Sequence, residues 1–130
     1  MRYLLDTNAV IAIIKDRQGP VAKHVRQHRR ADVTVSAIVL HELFFGAFRS
    51  GRVEHNLAIV DTLQFDVLDL DRNDARLAAQ LRAVLATRGT PIGPYDLLIA
   101  AHGLARGLTV VTANTREFSR IDGLTIEDWS

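Results

Sequence analysis

The chain has 130 residues, 48% of them hydrophobic, which is enough apolar material for the core of one domain of common size. It contains no cysteine, so disulfides, thiolate metal sites and cysteine nucleophiles are all excluded. The formal net charge of +1 neither requires nor excludes a nucleic-acid partner.

The beginning of the chain lacks the patterns of membrane and exported proteins. The apolar run at 9–14 is too short to span a bilayer, and no basic start with an apolar stretch and a cleavage site is present. The absence of cysteine suits a reducing compartment. These features predict a cytoplasmic protein without a membrane partner.

In chain order, short apolar strands alternate with helical segments. Strands are predicted at 3–5, 32–35, 65–68, 109–112 and, weakly, 124–126. Helices are predicted at 9–15, 20–30, 37–49, 53–63, 72–88 and 95–106, with a loop or short helix at 113–122. The expected helix starts are Thr7 or Asn8, Pro20, Ser36 and Asp71, and the expected ends are Gly51, Gly89 and Gly107. This alternation predicts a single α/β domain over 1–130, with a short parallel sheet of about four to five strands flanked by helices.

Asp6 stands where the first predicted strand ends and the first helix begins. In open parallel sheets, ligands bind in the crevice at the carboxyl ends of the strands, so a carboxylate at this point is a candidate functional group. The alternative is that Asp6 only caps the following helix.

Two further acids lie on apolar stripes of predicted helices. Glu42 shares its face with Ile38 and Phe45, where burying a charge without a partner is costly. Asp96 begins the helix after a proline-containing loop, with Ile99 on its face. The alternatives are a Glu42 side chain that reaches water at the rim of the stripe, and an Asp96 that only caps its helix.

Polar residues also follow the fourth predicted strand. Thr112 and Asn114 fall at the same edge of the sheet as Asp6, although ordinary loop chemistry would also explain them. If the three acids share a pocket, their charges repel one another unless a cation lies between them. Oxygen ligands without cysteine favour Mg²⁺ or Mn²⁺, which can activate a water and stabilise a phosphoryl transition state.

The histidines are poor candidates for metal ligands. His24 and His28 have i, i+4 spacing but lie among arginines. His41 lacks the second histidine of a zincin helix. His102 lies on an alanine-rich helix, where packing or surface exposure is the simpler explanation.

Four blocks of the sequence resemble the PIN-domain ribonucleases, in the same order and with similar spacing. The blocks are L-L-D-T-N at 4–8, S-A-I-V-L-H-E-L at 36–43, P-I-G-P-Y-D at 91–96 and V-T-A-N-T-R-E-F at 111–118. Within that family the chain resembles the VapC toxins of bacterial VapBC toxin–antitoxin pairs, and the likeness extends to L-T-I-E-D-W at 124–129. The resemblance implies a three-layer PIN fold.

The resemblance also implies a Mg²⁺- or Mn²⁺-dependent endoribonuclease toxin that inhibits translation and growth. Such toxins are usually homodimers. A VapB antitoxin silences them, and they contact DNA only through this antitoxin. By position, Asp6, Glu42 and Asp96 match the family's acidic triad and its metal ligands, and Thr112 matches a hydroxyl of the same pocket. Similar members cut transfer RNA in the anticodon region, a substrate implied by likeness alone.

Asn114 departs from the family's pattern, because many members carry a fourth acid there. Its amide is expected to orient a water or a ligand, and the departure leaves open a PIN-fold binding module with little or no activity. Two other acidic-pocket enzymes fit less well. A D-x-D phosphatase would need an aspartate at Asn8, and a phospho-acceptor domain would need paired acids after the first strand.

Two surface features predict where partners bind. Arg88, Arg116 and Arg120 lie nearest the acidic blocks in sequence and are candidates to guide RNA, although a solvated surface explains them equally well. The helices at 9–15 and 37–49 are apolar on two sides. We expect them to line a hydrophobic groove for an antitoxin segment, with core or homodimer packing as the alternative.

Overall fold

The computed structural model describes residues 1–130 as a five-stranded parallel sheet flanked by helices. The strands are β1 (Tyr3–Leu5), β2 (Val33–Ser36), β3 (Asp66–Leu68), β4 (Thr109–Val111) and β5 (Ile126–Glu127). The helices are α1 (Thr7–Lys15), α2 (Pro20–Arg26), α3 (Ala37–Arg49), α4 (Val53–Asp61), α5 (Arg72–Arg88), α6 (Pro94–Arg106) and α7 (Thr115–Phe118). The predicted α/β class with a parallel sheet is confirmed.

Strand β1 lies in the centre of the sheet, in the order β3-β2-β1-β4-β5. Leu4 and Leu5 are completely buried, as expected for a central parallel strand covered on both faces. The backbone amide of Asp6 donates to the carbonyl of Val111 at 3.0 Å. Asp6 and Thr112 therefore leave the sheet side by side at its carboxyl edge.

Several helix boundaries differ from the prediction. Helix α1 begins at Thr7, because Asp6 is its N-cap. Helix α2 ends at Arg26 and not at residue 30, since the four residues that follow are polar and offer no apolar side chain to hold another turn on the core. A short 3₁₀ turn at Arg30–Asp32 leads into β2. Ser50, and not the glycine after it, closes α3.

The remaining boundaries differ by one or two residues. Helix α4 stops two residues before the predicted end, β2 lies one residue later, and β3 and β4 are each one residue shorter. Strand β5 lies at Ile126–Glu127 and not at 124–126, and these two residues are in register with Val110 and Val111 of β4. Gly89 and Gly107 end α5 and α6 as predicted, with left-handed φ values of 69° and 66° that favour glycine.

A buried polar network links α5 and α6 to the start of α3. The Nδ1 of His102, a fully buried side chain, lies 3.1 Å from the Ser36 hydroxyl that caps α3. Asp74, also buried, accepts hydrogen bonds from the Asp71 amide and the Arg106 guanidinium, each at 2.9 Å. Burial lowers the pKa of His102, so its imidazole is neutral at pH 7 and the network serves to position helices.

His24 and His28 pack against the end of the chain. The rings of His24 and His28 lie 5.0 Å and 5.2 Å from the Trp129 ring, and Tyr3 meets the same indole at 5.0 Å. Trp129 is buried, so these contacts hold the last residues of the chain against β1 and α2. No helix of the fold combines the length and apolar character needed to cross a membrane.

Candidate active site

Asp6 is buried at the carboxyl edge of the sheet, with 2% of its surface exposed. Its Oδ1 accepts a hydrogen bond from the Ala9 amide at 2.8 Å, so the capping interaction that was the alternative for this residue does occur. Capping uses one carboxylate oxygen and leaves the second available. Burial raises the pKa of Asp6, the charge of Glu42 adds to this effect, and a hydrogen bond with Thr112 opposes it.

Glu42 reaches the same edge from the first half of α3. Its side chain is half-buried, and its Oε1 accepts a hydrogen bond from the Thr7 hydroxyl at 2.7 Å. Because Thr7 directly follows Asp6, this bond holds the Glu42 carboxylate beside the start of α1. Glu42 is therefore not a side chain that escapes to water at the rim of its helix.

Asp96 lies in the first turn of α6 and is half-buried. No side chain caps this helix, so Asp96 does not serve as its N-cap. Burial raises the pKa of Asp96 to about 6, and the charges of Asp6, Glu42 and Glu117 contribute further. The three acids come from distant parts of the chain and were predicted to share a pocket, and the charges of Asp6 and Glu42 both raise the pKa of Asp96. We call Asp6, Glu42, Asp96 and Glu117 the acidic pocket.

Thr112 and Asn114 border this pocket, as their position after β4 predicted. The Thr112 hydroxyl accepts a hydrogen bond from the Asn114 backbone amide at 2.9 Å. The side-chain amide of Asn114 donates to Glu117, and a hydrogen bond from Asn114 lowers the pKa of Asp96. Asn114 therefore donates to one carboxylate of the pocket and lowers the pKa of a second, as an uncharged donor can.

Two acids near the pocket were missed by the sequence analysis. Glu117 lies in α7, three residues after Asn114. This spacing places two side chains on one face of a helical turn, so it could have indicated that Glu117 lies near Asn114. Asp128 follows β5, and its charge contributes to the raised pKa of Asp6. As the side chains are oriented, no three of the acids converge tightly enough to enclose an ion.

Of the three arginines considered for RNA binding, two are already engaged. Arg88 forms an ion pair with Asp122 at 3.1 Å, and Arg120 donates to the carbonyl of Pro91 at 2.7 Å. Arg116 is exposed in α7, and its guanidinium makes no hydrogen bond or ion pair. Arg116 is consequently the arginine free to contact a phosphate.

The charge repulsion in the pocket predicts how the chain without added cations responds to pH. We expect the Asp96 carboxyl to titrate near pH 6 in carbon-detected NMR. Because its pKa in the folded state lies above the ordinary value of 3.8, this carboxyl should contribute more to the free energy of unfolding as pH falls from 7 to 5, measured as the difference between the native chain and Asp96→Asn. In Asp6→Asn, which lacks one of the repelling charges, the Asp96 midpoint should move below the native value. An unchanged midpoint would contradict the close approach of the two carboxylates.

Comparison with known proteins assigns the chain and its fold to a family. The model of the PIN domain matches residues 3–124. The chain is 42% identical over 132 residues to the tRNA(fMet)-specific endonuclease VapC of Shigella flexneri, covering 100% of this chain and 99% of that protein. It is 44% identical over 134 residues to the Salmonella typhimurium protein of the same name, covering 99% of this chain and 98% of that protein.

Solved structures agree with these relatives. The chain matches DNA-bound VapBC from Salmonella typhimurium with a TM-score of 0.94 and 43% identity, covering 100% of this chain and 99% of that chain. It matches VapBC2 from Rickettsia felis, bound to a promoter DNA fragment, with a TM-score of 0.91 and 32% identity over 100% of both chains. The chain belongs to the PIN-domain family and, within it, to the VapC group.

Proposed function

We propose that this chain is an endoribonuclease toxin that hydrolyses phosphodiester bonds of RNA. The observation that carries the proposal is the convergence of Asp6, Glu42 and Asp96 at the carboxyl edge of the sheet, where their charges act on one another. Such a cluster of carboxylates is costly to maintain without a function, because each charge disfavours ionisation of the others. The likeness to VapC endonucleases over the whole chain supports the same activity.

The activity is proposed to depend on Mg²⁺ or Mn²⁺, held by Asp6, Glu42 and Asp96. The donor set fits such a cation, since it consists of carboxylate oxygens whose repulsion a divalent charge would relieve. The three side chains would have to draw closer to bind it. When bound, the cation supplies activation of a water and stabilisation of the charge that develops on the phosphate.

The remaining residues of the pocket hold these carboxylates in place. The Ala9 amide and the Thr112 hydroxyl fix Asp6, and the Thr7 hydroxyl orients Glu42. Asn114 orients Asp96 through a hydrogen bond that favours its ionised form. Preorganised donors of this kind reduce the reorganisation that substrate binding would otherwise require.

The names of the relatives extend the proposal to substrate and partner. The two endonucleases are named for initiator tRNA, so we propose a transfer RNA substrate. The family resemblance is the basis for proposing that the cut falls in its anticodon region. The matching structures are VapBC complexes, two of them on DNA, so we propose a VapB-type antitoxin that silences this chain and connects it to DNA. We also propose that the chain forms a homodimer and acts in the cytoplasm.

The experiment that tests this function is a cleavage assay with the purified chain on an initiator tRNA transcript. We expect cleavage with Mg²⁺ or Mn²⁺, none in excess EDTA, and restoration when the cation is added back. Cleavage that persists in EDTA would exclude the metal requirement. If the chain binds tRNA without cutting it under any of these conditions, the alternative of an inactive PIN-fold binding module would replace the enzyme.

Asn114 provides a test of how charge in the pocket sets cation affinity. We expect Asn114→Asp to tighten Mn²⁺ binding, because it adds a negative charge beside Glu117 and Asp96. Asn114→Ala, the matched control, removes the hydrogen bond without adding charge and should not tighten binding. Titration calorimetry at pH 7.5 measures both affinities. Equal affinities for the native chain and both variants would rule out a role of Asn114 in the pocket.

A further inference from the structure

Two exposed aromatic side chains each adjoin an acid of the pocket in the sequence. His41 directly precedes Glu42 in α3, and Tyr95 directly precedes Asp96 in α6. Their ring centroids lie 5.6 Å apart and the ring planes are inclined by 51°. Both residues are exposed, Tyr95 to 46%. Two of the helices that supply acids to the pocket, α3 and α6, therefore also supply two rings that contact each other, which we call the aromatic pair.

The aromatic pair differs from the other close ring contacts of the fold. Tyr3 is 6% exposed and packs against Trp129 and His28, so its ring serves the core. The side chains of Tyr95 and His41, in contrast, make no hydrogen bond, and their inclined rings do not close into a face-to-face stack. A flat apolar object could therefore lie against either ring without displacing a bond of the folded chain.

We propose that the aromatic pair binds one unpaired nucleobase of the RNA, next to the phosphate that is cut; this inference rests on the proposed function. Carboxylates repel RNA, so the pocket by itself gives the substrate little affinity. Stacking of a base on an aromatic ring does not depend on charge, and proteins recognise single-stranded RNA loops in this way. The positions of Tyr95 and His41 beside Asp96 and Glu42 would place a stacked base one step from the reacting phosphate.

A nucleobase explains the pair better than a second protein surface does. A protein covering both rings would also cover the neighbouring carboxylates, and desolvating these charges without a partner is costly. RNA brings a flat base and a phosphate together on one backbone. Stacking also requires that the bases near the cut are unpaired, so the aromatic pair would bind a single-stranded loop better than a double helix.

The test compares variants that keep or remove the ring. Tyr95→Phe retains the ring, whereas Tyr95→Leu and His41→Leu retain apolar bulk without aromaticity. The matched control is Phe48→Leu, an exposed aromatic residue on α3 that does not adjoin an acid. The probe is an RNA hairpin with the sequence of the initiator tRNA anticodon arm, carrying 2-aminopurine at each loop position in turn. Cleavage kinetics and 2-aminopurine fluorescence are measured for each variant, and light scattering gives the oligomeric state.

We expect the native chain and Tyr95→Phe to quench 2-aminopurine at one loop position, and Tyr95→Leu and His41→Leu to lose this quenching. Loss of stacking should raise KM about tenfold, with a smaller effect on kcat. An abasic nucleotide at the quenched position should raise the KM of the native chain similarly and remove the difference in KM between the native chain and Tyr95→Leu.

If the native chain cuts the hairpin but Tyr95→Leu keeps its KM and quenching, this inference fails while the proposed function stands. A change in oligomeric state in Tyr95→Leu would identify the pair as an interface between copies instead. A native chain that cuts no RNA would overturn both.

Discussion

Asp6→Asn and Asp96→Asn are each expected to abolish RNA cleavage while the chain stays folded. Each substitution keeps the size and shape of the side chain but removes a charge that the proposed cation needs. Loss of a group that only orients a metal ligand already costs about 10- to 100-fold in activity or metal affinity, so loss of a proposed ligand should cost more. Single-turnover cleavage of initiator tRNA, with circular dichroism to verify folding, measures the effect.

The stability of the same variants distinguishes this explanation from simple damage to the fold. Asp6 and Asp96 both have raised pKa values, so their ionised forms are disfavoured in the folded chain at pH 7. Asp96→Asn should therefore raise the free energy of unfolding in EDTA by roughly 1 to 2 kcal/mol, less than the full shift implies because the side chain is only half-buried. Asp6→Asn keeps an oxygen that can cap α1, and asparagine caps helices about as well as aspartate, so its free energy of unfolding should be equal or higher. Native-level cleavage by either variant would refute the role of that carboxylate.

The acidic pocket could be predicted from sequence because its residues follow simple positional rules. Asp6 and Thr112 come directly after apolar strands, and parallel strands end at the same edge of a sheet. Glu42 and Asp96 interrupt apolar helical stripes, where a carboxylate without a partner would be unfavourable. The family resemblance fixed which of the chain's acids belong together, and physical reasoning alone had left the capping and rim alternatives open.

The parts that were not predicted depend on contacts between distant residues. Whether Asp6 or its neighbours cap α1 depends on how β1 enters the helix, since all three residue types can cap. Glu117 looked like an ordinary surface acid, because its connection to the pocket runs through Asn114 and through the position of α7 against α6. The His41–Tyr95 contact joins two helices that are separated by more than forty residues, and no periodicity within either helix indicates it.

Two apolar spaces lie beside the helices that we predicted to line a groove for the antitoxin. An apolar cavity of about 160 Å³ lies between α1, α3, α4 and β3, and Leu43 and Phe44 line it from α3. A larger groove of about 630 Å³ between α1 and α2 shares Leu63 and Phe65 with this cavity, so the two spaces are neighbours. Much of the apolar surface of α3 packs in the core, as the alternative of core packing predicted. Leu43 is buried in the core cluster, and Phe44 packs against that cluster. Phe48 is 64% exposed and lines neither space.

Phe44→Lys is accordingly expected to weaken antitoxin binding most, by about thirtyfold or more, the effect of losing an apolar anchor residue in an interface. Phe48→Lys should weaken it less, since its ring lies on the same helix but outside the cavity. Val84→Lys, at an exposed apolar position of α5 away from both spaces, is the matched control and should bind normally.

Calorimetry with the cognate antitoxin gives the affinities, and thermal unfolding separates lost binding from lost folding, which matters because Phe44 contacts the core. If Phe44→Lys unfolds, Ile14→Lys tests the larger groove from α1 instead. Folded variants at Phe44, Phe48 and Ile14 that all bind the antitoxin at native affinity would place the groove elsewhere on the surface.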